Sequence, residues 1–129
     1  MFLKVVAPLV VVFLAVESGG LLGAPEDVDS NREDVQHALQ FAVNSHNKKT
    51  NDLFVAQVVS VRKAQIQVVS GLNYIFTVEL VRTSCRKGGV QEVCVPHPDP
   101  TIANPQVCNL KVWSQPWMNS MKVTENTCQ

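Results

Sequence analysis

Apolar residues fall into distinct patterns along this chain, and each predicts a different piece of structure. Val5 to Val16 is an apolar run broken only by Pro8. Val35, Ala38, Leu39, Ala42 and Val43 recur at helical spacing and form one stripe, which predicts a helix over about residues 31–48. Val55 to Ile66 is rich in β-branched residues. Leu72, Tyr74, Phe76, Val78 and Leu80 alternate with a more polar set, as a strand with one buried face requires, and that strand extends to Val81. Val107 to Trp113 and Met121 to Thr127 predict two further short strands.

Local chemistry supplies the boundaries. Asp29 and Ser30 mark the helix start, and Ser30 with Glu33 has the spacing of a capping box. Acidic residues there complement the helix dipole, and Asn47, Lys48 and Lys49 suit its other end. Arg86-Lys87-Gly88-Gly89 and Pro96-His97-Pro98-Asp99-Pro100 are loop sequences, and Ser114 to Asn119 turns between the last two strands. The expectation is an α+β domain, with one helix covering a face of four or five antiparallel strands.

One pattern is out of place. Gln67-Val68-Val69-Ser70-Gly71 falls where the hairpin between the long strands must turn. Hairpin tips face water and are usually polar. Two valines at such a tip read either as a buried turn or as an exposed apolar patch, and such patches mark binding surfaces.

The N-terminal run, with Lys4 before it and Ser18, Gly19 and Gly20 after it, predicts a secretory signal over residues 1–18. Cleavage is expected after Ser18, or else after Gly20. The run is shorter than the roughly 20 apolar residues of an ordinary membrane span. Residues 19–129 then form one domain. Formal net charge is zero, so the composition does not point to nucleic acid or an anionic membrane surface.

Four cysteines, Cys85, Cys94, Cys108 and Cys128, read as two disulfides in a small secreted chain. Three pairings are possible, with the sequential one preferred. A zinc site using Cys94-x-x-His97 is a weaker alternative. No catalytic set is evident. Ser70 lacks the strand–elbow–helix context of a hydrolase serine. His37, His46 and His97 read as surface or loop residues. No cofactor is implied.

These features in order resemble the secreted two-disulfide cystatins, inhibitors of papain-like cysteine proteases. The resemblance rests on Gly23 in Leu21-Leu22-Gly23, the Gln67–Gly71 run, Pro116-Trp117, the four cysteines, and Thr50-Asn51-Asp52 after the helix. Taken singly, Gly23 reads as a linker glycine, Trp117 as a core residue, and Val68 and Val69 as interior.

The resemblance implies an inhibitor rather than an enzyme. In it, the tail (Leu21, Leu22, Gly23), the first hairpin tip (Gln67, Val68, Val69, Ser70, Gly71) and the second hairpin tip (Pro116, Trp117) form a wedge. The wedge would fill the cleft of cathepsins of the L, B, H and S type, without a covalent step. Asn51 would be a second site, directed at legumain. A monomer is expected, with swapped dimers as the alternative. Departures from the pattern are Ser70 in place of the commoner alanine, a short tail before Gly23, and a slightly short Cys85–Cys94 loop.

Overall fold

The computed structural model describes residues 23–89 and 93–129. The signal segment and the Leu21 and Leu22 side chains lie outside those residues. Strand β1 is Glu26–Asp27, helix α1 is Glu33–Lys49, β2 is Phe54–Val69 and β3 is Gly71–Arg86. A four-residue helix α2 (Pro100–Ala103), β4 (Gln106–Gln115), a 3-10 turn (Pro116–Met118) and β5 (Ser120–Cys128) complete the order. All five strands make one antiparallel sheet, in the order β1-β2-β3-β4-β5.

The helix stripe and one face of the sheet form the core. Val35, Ala38, Leu39 and Ala42 are buried against Tyr74, Phe76, Val78 and Leu80 of β3 and Cys108, Leu110 and Val112 of β4. Each fully buried large side chain, such as Phe76 or Leu110, contributes roughly 1.5–3 kcal/mol. Register shifts at Phe54/Ala56, Val58/Ser60 and Val61/Lys63 mark bulges, which bend and twist β2 as it passes the helix.

Polar links fix the helix at both ends. The Tyr74 hydroxyl donates to Asp34 Oδ2 at 2.9 Å. The Arg32 guanidinium, with Tyr74, holds the Asp34 carboxyl down to about 2. Burial, reinforced by that carboxylate, pushes the Tyr74 phenol up to about 12. At the other end, the Asn47 amide donates to the Ala56 carbonyl at 3.1 Å and accepts from the Ala56 N–H at 2.9 Å.

The structure corrects three sequence expectations. The Ser30–Glu33 capping box does not form. Arg32 occupies the N-cap without a side-chain cap, because a turn from Asp29 to Arg32 comes first and Asp29 Oδ1 takes the Asn31 N–H. His46 is buried, four residues beyond Ala42 on the same stripe, with Nδ1 3.3 Å from Asn126 Oδ1 of β5. The proline-rich loop contains α2, which starts where the Asp99 carboxylate accepts from the Thr101 N–H.

Cys85 is bonded to Cys94 and Cys108 to Cys128. The second bond ties β4 to β5 directly, since the two residues are paired in register. Cys94 therefore has no thiolate to offer a metal, and the zinc alternative fails.

Candidate functional site

The β2–β3 hairpin turns through Ser70, with Val69 paired to Gly71. Such a sharp reversal needs backbone freedom, and Gly71 has φ +98°. Gly71 also lies against the second hairpin. A Cβ at this position would collide with the Ser114 carbonyl oxygen and would stand 3.4 Å from Cη2 of the Trp117 ring. Glycine is thus what lets the two tips approach each other.

A side-chain bond reinforces that approach. Trp113 Nε1 donates to the Ser70 carbonyl at 2.8 Å, from β4 to the first hairpin tip. On the other flank, Gln67 Nε2 donates to the Gly23 carbonyl at 2.7 Å. Asn73 Nδ2 lies 3.4 Å from Gln67 Oε1 and holds that amide from the neighbouring strand. Gly23 has φ +84° and lies beside the Val68 carbonyl. Gln67 consequently fixes where the N-terminal tail leaves the sheet.

The second tip is the 3-10 turn, with Pro116 at its start, where no N–H is needed. Asn119 closes it in the left-handed conformation, and its N–H donates to the Pro116 carbonyl at 3.0 Å. Trp117 and Met118 are left 64% and 63% exposed, and Val68 is 64% exposed. The interior readings of Val68 and Trp117 therefore do not hold.

Gly23, Gln67 to Gly71 and Pro116 to Met118 thus share one end of the sheet. The segments carry no ionisable side chain. What they offer is a rim of exposed apolar side chains on a hydrogen-bonded base. Such a surface excludes water from a complementary groove and performs no proton transfer. Sequence reasoning missed Trp113 and Asn73, whose roles depend on cross-strand neighbours, and Met118, which lies within the turn without a motif of its own.

The other notable segment lies at the opposite end. Lys87 Nζ donates to the Thr50 carbonyl (2.9 Å) and hydroxyl (2.8 Å). Arg82 Nη2 pairs with Asp52 Oδ1 at 3.0 Å. Asn51 stands exposed between these two anchored neighbours.

A family profile described as Cystatin domain matches residues 23–127. A protein named cystatin from Oncorhynchus mykiss is 52% identical over 126 residues, covering 98% of this chain and 97% of the relative. A cystatin-C from Paralichthys olivaceus is 45% identical over 124 residues, covering 95% of this chain and 97% of the relative. The crystal structure of dimeric human cystatin F is similar with a TM-score of 0.74 and 29% identity, covering 84% of this chain and 87% of that one.

Proposed function

This chain belongs to the cystatin family of cysteine protease inhibitors, which are not enzymes, and we propose that it acts as a reversible wedge in the cleft of papain-like proteases. The observation that carries this reading is the shared edge of Gly23, the Gln67–Gly71 tip and Pro116-Trp117. It is apolar, exposed and held in place before any partner arrives. Pre-formed surfaces lose little freedom on docking, and the stiff valines add to that advantage. Leu21 and Leu22 would extend the edge along the cleft.

The proposed partners are cathepsins of the L, B, H and S type. No step is covalent, since all four cysteines are in disulfides. Secretion is part of the reading: residues 1–18 serve as a signal, cleaved after Ser18 or Gly20, and disulfides persist in oxidising compartments. Among the described residues no helix is long and apolar enough to cross a membrane. The proposed working form is a monomer, with a domain-swapped dimer as the alternative.

Titration of mature protein into papain tests the reading. One equivalent should abolish activity, and dilution should restore it. Full activity at stoichiometric concentration, or covalent capture, contradicts it.

A second reading concerns Asn51. Its exposure between two anchored residues supports a role as an asparagine bait for legumain, at the end of the sheet remote from the wedge.

A further inference from the structure

We propose that Met118 is an oxidation-sensitive control point on the inhibitory edge, where a hydroperoxide converts the thioether to a sulfoxide and weakens inhibition. This rests on the wedge reading of the Pro116–Met118 turn.

The sulfur inventory isolates this residue. All four cysteines are in disulfides. Met121 is partly buried and packs against the core, whereas Met118 is 63% exposed. Among the described residues, Met118 is therefore the exposed thioether. It directly follows Trp117 in the 3-10 turn, and the Asn119 cap holds that turn closed.

The chemistry needs one co-reactant, a hydroperoxide. A sulfur lone pair attacks its terminal oxygen, an S–O bond forms and the O–O bond breaks. The transferred oxygen gives up its proton to the remaining oxygen, which leaves as water or an alcohol, and the sulfoxide is neutral. Sulfur is oxidised and the peroxide is reduced. The product carries a strong dipole at the position of an apolar side chain. In free protein, water solvates that dipole, so the fold is unaffected. Docked against a protease, the dipole loses its water without an assured donor, and only the complex is destabilised. A sulfoxide reductase reverses the change.

The test treats mature protein with hydrogen peroxide and removes the peroxide with catalase before papain is added. Peptide masses follow oxygen uptake at Met118 and Met121, and inhibition constants and Tm are read in parallel. Met118 should gain oxygen several-fold faster than Met121. The inhibition constant should rise roughly tenfold at unchanged Tm, and reductase treatment should restore it. Met118→Leu, compared with its own untreated inhibition constant, should show no change on peroxide treatment. Equal oxidation rates, or a Met118 sulfoxide form that inhibits as tightly as the untreated protein, overturns the control point. Failure of the wedge reading shows separately, as absent inhibition by the untreated protein.

Discussion

The indole N–H of Trp113 donates to the carbonyl of Ser70 at 2.8 Å, and this bond locks the first hairpin tip to the strand that leads into the second. It crosses 43 residues of sequence and lies at the base of the candidate edge. Trp113→Phe keeps an aromatic, though smaller, side chain and removes the donor. A neutral hydrogen bond of this kind is worth about 1 kcal/mol. The expected outcome is a Tm lowered by a few degrees, together with weaker inhibition of papain, because the tip is no longer held in position for docking. Unchanged inhibition would show that the tip is held by other contacts.

Gly71→Ala should be more damaging. The substitution puts a methyl group against the Ser114 carbonyl at a backbone angle that alanine rarely adopts. The hairpins must separate, at a cost of roughly 2 kcal/mol or more in stability. Thermal unfolding and the inhibition constant should both worsen, and a variant equal to the parent in both contradicts the close approach.

The fold was largely legible because burial has a period. The stripe from Val35 to Val43 and the alternation from Leu72 to Leu80 each place apolar groups on one side, and the structure buries those sides. What stayed hidden depends on neighbours distant in sequence. His46 continues the stripe, but its partner Asn126 is 80 residues away, and chemistry alone makes histidine look like a surface residue. The Gln67–Gly71 tip stood out by its misplaced valines. The bonds that steady it, from Gln67 to Gly23 and from Trp113 to Ser70, follow from strand register, which no local pattern encodes.

Asn51→Lys separates the two proposed sites. Thr50 and Asp52 keep their partners Lys87 and Arg82, so the loop should hold its shape. Inhibition of legumain should vanish, while inhibition of papain should stay within about twofold, because distant sites couple weakly. Paired inhibition constants check this. An equal loss of both activities indicates a damaged fold and refutes separate sites.

Asp34 predicts an acid-side dependence of stability. Its carboxyl is held at about 2 against an ordinary 3.8, first by Arg32 and also by Tyr74. A depressed pKa favours the ionised, folded form above the ordinary value. That contribution is lost as pH falls from about 4 towards 2. The side chain is 42% exposed, so solvent screening keeps the contribution to about 1 kcal/mol or less. Asp34→Asn should lower Tm by a few degrees at neutral pH, and the gap from the parent should close near pH 2. A gap that persists undiminished there contradicts the charge-based origin.

The central claim is that the exposed edge, not the buried core, confers inhibition, and Trp117→Ala measures this most directly. The ring is 64% exposed on the second tip, with one edge over Gly71. An anchoring aromatic of this kind contributes roughly 2 kcal/mol or more to binding. The equilibrium inhibition constant of mature Trp117→Ala against papain should therefore rise about 30-fold or more, with Tm close to that of the parent. A variant that inhibits papain as tightly as the parent, or one whose Tm collapses while its folded fraction still inhibits normally, would contradict the account.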